Sequence, residues 1–548
     1  MSRTRGLDDR AFRHERPSVT VLVVAPVAGA GLVGILMPRS VASTIPVALV
    51  ALVLAGSAIF TSRRSGPVGL GAAHVLTLAG VGAFLVALGP KVLGWPYFFP
   101  VAKSVDAAHH GAMVDWIARH GRLPSKIEPD LRQFSEYFML SHRLVALVSE
   151  VFGVAPMRAL GVAGLLALGV VLVSIAGLAG RQTGATLGRS EGYAAAFLVF
   201  PCALMVSHFT IGALSESYFF AQMVALAFGV AACVGIASHA RPILIVLIGA
   251  ASIAAYPLQG PLVPGVLFVL VVVTRDPRHL RTLLGVLGLG GLAFAAQYPY
   301  LGSARAMSTD EGSIIPLSLA TGGGVLFAVL VLAGLFFVIR NMDWQRGRTT
   351  DVVGIVIVSG FLLTTLQYLA FRVAASQEIV SNYSAGKIVF MIAPFAICLA
   401  AIGAAFALST LLHRSALVLG AATLFGVVTL SAGPSVEVAT PKPMDHDAYV
   451  LARWMRGRNE LMNAGEVGVV GDQLTPYFVR WSALGQPIEP IQYLDFDQRL
   501  PWRAWPRDST TTYVIVAGES RVAAYVARPG VREIARRGDA ALLKRDGR

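Results

Sequence analysis

An acidic residue and two histidines stand close together at the start of a short polar stretch. Asp106, His109 and His110 are spaced i, i+3 and i+4, so a helix through DAAHHGAMVDWIARHGRLP would place all three on one face. Asp115 and Arg119 lie away from that face. Such a helix would lie along a membrane surface, with a carboxylate and two imidazoles open to whatever docks there. The alternative interpretation is a solvent-exposed amphipathic helix whose histidines only form hydrogen bonds with water.

A second candidate cluster lies much later in the chain, where Arg372 closes one apolar run and Lys387 opens the next. Lys387 is the only lysine in the second half of the apolar region, and Tyr383 precedes it by one helical turn. Two cations and a phenol at the level of the outer lipid headgroups suit a phosphate group attached to a lipid. Ordinary anchoring of long side chains at helix ends is the alternative.

The elements that must position these residues are mostly membrane helices. Hydrophobic residues make up 55% and charged residues 14% of the 548 residues, and the mean hydropathy is +0.66, which is typical of a polytopic membrane protein. The net charge of +14 comes from arginine, much of it in short loops where it sets membrane orientation, so we predict no nucleic-acid partner. Cys202, Cys233 and Cys398 lie inside apolar runs without paired spacing, which suggests neither a disulfide nor a metal site.

Apolar runs long enough to cross a bilayer number about thirteen. They lie near 19–37, 43–61, 67–89, 156–180, 191–211, 217–237, 242–256, 260–274, 281–299, 316–339, 352–371, 386–409 and 415–432. The seventh and eighth are short and are separated by the sequence YPLQGP. They form either two crossings or one broken, re-entrant element.

Arginine placement predicts the orientation. The arginine-rich segment 1–18 is expected in the cytoplasm. With thirteen spans, the alternate loops of the membrane region that carry arginine also lie on the cytoplasmic side. This agreement favours two crossings within 242–274. We therefore expect a transmembrane region at 19–432, with its large external loop at 90–155, and an extracytoplasmic domain at 433–548.

Both external segments show further elements. In the loop, the pattern from about Leu131 to Phe152 predicts a second amphipathic helix. In the C-terminal segment, a helical pattern runs from Asp445 to Asn463, and apolar stretches at 466–472 and 512–518 are typical of buried strands. Strands alternating with helices predict a small α/β domain.

The arrangement resembles the GT-C superfamily of polytopic glycosyltransferases, which use polyprenyl-phosphate-linked sugars outside the cytoplasmic membrane. The resemblance rests on Asp106 in a large external loop, on the phrase DAAHHGAMVDWIARHGRLP, and on a soluble C-terminal domain on the same face. Many relatives carry paired acids where this chain has Val105-Asp106, and many begin the loop after the first span rather than the third. No metal ligand is therefore assigned, and a divalent metal ion is left as an open alternative.

The resemblance implies a role for each candidate residue. Asp106 is the expected base, and His109 or His110 would orient it or bind the acceptor. Asp115, on the opposite side of the helix, is expected to tolerate Asp115→Asn. The remaining candidates fall into two groups: Lys387, Arg372 and Tyr383 for the donor phosphate, and Glu128, Asp130 and Glu136 as weaker acid candidates in the same loop.

The implied function is transfer of a sugar from a polyprenyl-phosphate donor to a glycan, lipid or protein acceptor of the cell envelope, at the outer face of the plasma membrane. Arabinose and mannose are the sugars that the composition suggests. A lipid-linked polysaccharide polymerase or ligase is the runner-up. A transporter or flippase of envelope precursors is a third reading, which the lack of buried acids and of repeat halves disfavours.

Overall fold

The computed structural model describes residues 19–36, 93–94, 99–100, 106–122, 137–215, 218–297, 322–342, 349–412, 445–458, 467–471 and 512–546, with single positions at 418, 420–422, 475 and 479. The predicted spans near 43–61 and 67–89, and most of the one near 415–432, lie outside these residues. So do three acid candidates, Glu128, Asp130 and Glu136.

Long apolar helices form most of the described chain. In chain order they are α1 (Val19–Leu36), α2 (Asp106–His120), α3 (Leu140–Phe152), α4 (Pro156–Thr186), α5 (Arg189–Met205), α6 (Gly212–Ser215), α7 (Phe220–Ala237), α8 (Pro242–Ala255), α9 (Leu262–Thr274), α10 (Pro277–Ala296), α11 (Gly322–Asn341), α12 (Thr349–Ser376), α13 (Asn382–Lys387) and α14 (Val389–Leu412). Seven described segments are long and apolar enough to cross a membrane. A polytopic helical membrane fold is thus confirmed, while the total of thirteen spans stays a prediction.

Proline sets where several of these helices begin. Pro156, Pro242 and Pro277 each occupy the first turn of their helix, where the missing backbone N–H costs no hydrogen bond. Asp276 also caps α10, since its Oδ1 accepts from the backbone N–H of Arg278 at 2.8 Å.

The membrane helices cross closely where glycines meet. A Cβ on Gly334 of α11 would collide with the carbonyl oxygen of Leu399 on α14, and one on Gly403 would collide with the carbonyl oxygen of Leu330. Small residues allow such backbone approach, which gains packing that the hydrophobic effect does not supply between helices in lipid.

The chain is broken between α8 and α9. α8 ends at Ala255, one 3₁₀ turn spans Pro257–Gln259, and α9 begins at Leu262. A carbonyl at this break accepts a hydrogen bond from another helix, because Gln367 Nε2 donates to the carbonyl oxygen of Leu258 at 2.7 Å. A half-buried glutamine within a span thus provides a hydrogen bond to backbone that lipid could not satisfy.

Two helices of the predicted external loop pack together. α2 and α3 contact each other, and both contact α4. α3 begins at Leu140, later than the predicted Leu131. The expectation that His109 and His110 lie open on a surface helix is wrong, because their exposed fractions are only 7% and 6%. Packing against α3 turns the face that sequence spacing predicted into an inner face.

The C-terminal segment contains a small mixed sheet. Its elements are α15 (His446–Arg456), β3 (Val467–Val470), β4 (Tyr513–Ala517), α16 (Glu519–Val526), β5 (Val531–Arg537) and β6 (Ala540–Arg545). The strand order is β3-β4-β6-β5, with β3 parallel to β4 and the other pairs antiparallel. The predicted helix and both predicted strands are present, whereas the hairpin β5–β6 was not predicted. A two-residue pair, β1 (Leu93–Gly94) with β2 (Phe99–Pro100), lies before α2.

α15 is docked onto α2 through a buried carboxylate. Asp115, whose side chain is 4% exposed, accepts hydrogen bonds from Arg119 on its own helix at 2.8 Å, from Arg453 at 3.0 Å and from Arg456 at 2.7 Å. The prediction that Asp115 lies on a tolerant outer face is therefore wrong: that face is covered by the C-terminal segment. The contact also requires α2 and α15 to lie on the same side of a membrane.

Candidate active site

Asp106 is the first residue of α2, and its side chain is 39% exposed. The backbone N–H groups at the start of a helix favour a negative charge at this position. The rest of α2 is held in place, because Met113 and Ile117 are buried in the core and Asp115 is bound to α15. The carboxylate is thus presented at the end of a fixed helix.

The side chain of Asp106 lines an open cavity of about 120 Å³. Its described lining is Asp106, His109, His110, Met113, Tyr137, Tyr218, Phe219, Phe220, Ala221, Gln222, Tyr256, Tyr383 and Lys387. The cavity therefore brings together two clusters that are far apart in the sequence. Most of its other walls are aromatic, which is common in ligand sites.

Lys387 is the last residue of the short helix α13 and is 7% exposed. Its ammonium nitrogen lies 4.0 Å from the ring centroid of Tyr383 and 5.7 Å from that of Phe219. These rings stabilise a cation through their negative faces. Gln222 Nε2 donates to the Lys387 carbonyl oxygen at 2.7 Å, which ties α13 to α7.

Arg372 contacts the start of the helix that carries Lys387. It is exposed on α12, and its Nη1 donates to Oδ1 of Asn382 at 2.9 Å. Asn382 is the first residue of α13, so this bond supports the start of the helix that carries Lys387. The described lining of the cavity does not include Arg372.

His109 is buried beside Asp106. Its Nδ1 lies 3.8 Å from Oδ1 of Asp106, which is longer than a hydrogen bond. Burial lowers the pKa of His109 to about 3, so the ring is uncharged and the contact is not an ion pair.

His110 contacts a histidine that the sequence analysis did not single out. Its Nδ1 lies 2.7 Å from Nε2 of His142 on α3, and His142 Nδ1 lies 3.2 Å from the carbonyl oxygen of Phe138. Burial lowers the pKa of His142 to about 4, and burial followed by the neighbouring His142, His109 and Lys387 lowers the pKa of His110. A signal for His142 was available, because on α3 it shares a helical face with apolar Val145 and Ala146.

A metal ion would find few ligands here. Within the described ranges, no three histidine, cysteine or acidic side chains form a group suited to a metal ion. His110 Nδ1 is already engaged by His142. Asp106 and His109 alone do not make a coordination shell.

Comparison with known proteins gives matches only among solved structures. No protein-family model and no curated protein matches the chain. ArnT from Cupriavidus metallidurans, bound to undecaprenyl phosphate, is 14% identical with a TM-score of 0.47, over 87% of this chain and 98% of ArnT. The archaeal oligosaccharyltransferase AglB from Archaeoglobus fulgidus, in complex with an inhibitory peptide and a dolichol-phosphate, is 11% identical with a TM-score of 0.44, over 80% of this chain and 69% of AglB.

The arabinofuranosyltransferase AftD from mycobacteria is 14% identical with a TM-score of 0.50. The match covers 88% of this chain but only 40% of AftD, so the chain corresponds to less than half of that protein's length. These three proteins are GT-C glycosyltransferases. The similarity to AftD agrees with the resemblance predicted from the sequence, at the level of the fold. This chain has a fold similar to that of AftD, a GT-C glycosyltransferase.

Proposed function

We propose that the protein is a glycosyltransferase that moves a sugar from a polyprenyl-phosphate donor to a glycan, lipid or protein acceptor at the outer face of the plasma membrane. The observation that carries the proposal is the shared cavity: Asp106 of α2 and Lys387 of α13 line the same space. A base and a phosphate-binding cation are the two groups that such a reaction requires. The GT-C fold agrees with this function.

The residues divide the reaction between them. The Asp106 carboxylate takes the proton of an acceptor hydroxyl. The oxygen of that hydroxyl attacks the anomeric carbon of the donor. The bond between that carbon and the phosphate oxygen breaks, and the electron pair leaves with the phosphate. Lys387 stabilises the departing phosphate, with Tyr383 beside it. A single displacement inverts the configuration at the anomeric carbon.

An apolar stripe on α12 supports a lipid-linked donor. Leu362, Leu366, Leu369 and Val373 are exposed along one side of this helix, with exposed fractions of 46–61%. α12 contacts α13, which carries Lys387. An isoprenoid tail lying along this stripe would bring its phosphate toward the lysine.

The donor sugar and the acceptor remain part of the proposal. The fold shared with AftD, an arabinofuranosyltransferase, puts arabinose first among the sugars to test and mannose second. A polysaccharide polymerase or ligase would use the same cavity with a longer acceptor. A flippase would move the lipid without breaking the bond between sugar and phosphate.

The proposal is tested with the full-length protein in liposomes. Radiolabelled polyprenyl-phosphate arabinose or mannose is supplied with octyl-linked arabinose or mannose disaccharides as acceptors. We expect label to appear in a lengthened, octyl-linked product. Movement of intact labelled donor between leaflets, without any new glycosidic bond, would instead identify a flippase and contradict the proposal.

A further inference from the structure

The histidine pair beside the cavity has a fixed order of donors and acceptors. The Phe138 carbonyl oxygen only accepts, so His142 must carry its hydrogen on Nδ1 to donate to it. Because burial keeps His142 uncharged, its Nε2 has no hydrogen and accepts. His110 must then donate from Nδ1 to His142, across 2.7 Å.

This order determines the chemistry of the remaining ring nitrogen. A neutral His110 with its hydrogen on Nδ1 carries a lone pair on Nε2. Within the part of the chain that the structure describes, the His110 ring makes no hydrogen bond besides the one to His142. Since Nε2 lies on the ring edge away from His142, and the ring lines the cavity, the lone pair is available to a bound molecule.

The surroundings keep His110 in this state. Tyr137, Tyr218 and Phe220 surround its ring, with centroids 5.6, 5.7 and 5.9 Å away. The charged or titratable groups that act on it are His109 on its own helix, His142 on α3 and Lys387 on α13. The same cavity is also lined by Asp106 and by four tyrosines, Tyr137, Tyr218, Tyr256 and Tyr383. The pKa of His110 lies well below its usual value, first because of burial and then because of His142, His109 and Lys387.

We propose that His142 is a positioning residue that holds His110 as a neutral acceptor, and that His110 Nε2 binds a second hydroxyl of the acceptor, next to the one that attacks. This inference rests on the proposed function and narrows it. The acceptor is then a polyol, such as a glycan, rather than a lone amide or a simple alcohol. Holding the neighbouring hydroxyl aims the attacking one at Asp106.

The tautomers are tested first, without any assay of activity. The protein has 11 histidines, so ¹⁵N-histidine spectra in nanodiscs would be compared with those of His110→Phe and His142→Phe to assign the two rings. We expect both rings to be neutral with hydrogen on Nδ1 at pH 7. A hydrogen on His110 Nε2, or a charged His110 ring, would overturn the proposal.

The kinetic test compares three variants in the sugar-transfer assay. His142→Phe should raise the KM for the disaccharide acceptor roughly five- to tenfold, the size expected for one misplaced hydrogen bond, with the donor KM unchanged. His142→Gln should have an acceptor KM close to that of the wild type, because the glutamine amide can accept from His110 and donate to the carbonyl oxygen of Phe138. His279→Phe is the control, since this histidine bonds to Thr274 outside the cavity.

The two hypotheses fail in different ways. If the wild type transfers no sugar, the proposed function is wrong, and the tautomer measurement still reports on the histidine pair. If the wild type is active but His142→Phe keeps its acceptor KM, the positioning role is wrong and the proposed function stands.

Discussion

Lys387 lies in an aromatic setting rather than in water. Its nitrogen is 4.0 Å from the Tyr383 ring centroid, and its carbonyl oxygen is fixed by Gln222. Tyr383 and Phe219 partly replace the water that a lysine loses on burial. A phosphate entering the cavity would meet a cation that is already positioned, which is the arrangement that favours a leaving anion.

Removing that cation should weaken use of the donor. We expect Lys387→Ala to raise the donor KM and lower kcat, and Lys387→Arg to retain part of the activity because charge is kept while geometry changes. Lys544→Ala is the matched control, since Lys544 also faces a tyrosine ring, that of Tyr513 at 5.7 Å, but in the C-terminal sheet. Equal donor kinetics in Lys387→Ala and the wild type would reduce this residue to a membrane anchor.

The sequence predicted part of this site. Asp106 and the histidines were found from helical spacing, and Lys387 from the scarcity of lysine. Burial of His142 is predictable from the helical face that it shares with Val145 and Ala146, but its pairing with His110 is not, because a contact between two helices leaves no spacing pattern in the chain. Asp115 was misjudged because a helical wheel shows which residues share a face but not what covers the other face.

At the scale of elements, α2 links the cavity to the C-terminal segment. Its first residue faces the cavity, and its middle is tied to α15 through Asp115. Removing one partner of a buried ion pair leaves the others uncompensated. The C-terminal segment therefore contributes to the position of Asp106, although none of its described residues lines the cavity.

We expect Asp115→Asn to destabilise the protein by about 1–3 kcal/mol, as charge-assisted hydrogen bonds are lost. Arg456→Met should have a similar effect, and the double variant should be little worse than either change alone. Thermal unfolding in detergent measures all three. Glu533→Gln, in an exposed pair with Arg536, should change the midpoint little; an equally small effect of Asp115→Asn would contradict the docking role.

The buried histidines of α2 and α3 predict a pH dependence of stability. The folded-state pKa of His109 is about 3 and that of His142 about 4, both below the ordinary value of 6.5. Below pH 6.5 the unfolded chain binds protons that the folded chain does not. The free energy of unfolding therefore decreases as the pH is lowered, by about 1.4 kcal/mol per pH unit for each histidine.

The thermal unfolding midpoint should therefore decrease as the pH is lowered from 7 to 5. The decrease should be less steep in His142→Gln. The difference between the two proteins is the quantity to measure, because Asp445, whose pKa is raised to about 6 mainly by burial, acts in the opposite direction. Parallel pH curves for the wild type and His142→Gln would contradict the uncharged state of His142.

At the scale of the whole molecule, the ion pairs between α2 and α15 bring together the two segments that are predicted to be external. Arg158 of α4 adds a second contact, to His446 Nε2 at 3.3 Å. The prediction that both segments lie on the outer face follows from arginine placement in the sequence. The contacts require a common side and agree with that prediction.

Labelling in intact cells tests the side. Glu150 and Arg532 are exposed, on α3 and in the C-terminal sheet, whereas Arg278 is exposed in a loop predicted to be cytoplasmic. The native cysteines are buried and should stay unreactive. An impermeant maleimide should label Glu150→Cys and Arg532→Cys in intact cells, and Arg278→Cys only after lysis. The opposite pattern would reverse the predicted orientation and contradict the proposed sugar transfer at the outer face.

The sequence predicted more of the membrane region than of the C-terminal segment. Apolar runs at 156–180 and 386–409 became helices because length and hydropathy suffice to define such elements. The strands β3 and β4 were found because they are buried and apolar. β5 reads VREIARR, a partly exposed strand rich in charge, and only its pairing with β6 makes it a strand.

The transfer rate of Asp106→Asn tests the central claim most directly. The substitution keeps the size of the side chain at the accessible start of α2, so the fold should survive. The wild type, Asp106→Asn and Glu150→Gln would be compared in liposomes with labelled polyprenyl-phosphate arabinose and a disaccharide acceptor, Glu150 being an exposed carboxylate on the neighbouring helix α3. We predict a fall of about 10²–10⁴-fold for Asp106→Asn and a near-normal rate for Glu150→Gln. A folded Asp106→Asn protein that transfers sugar at the wild-type rate would contradict the catalytic assignment.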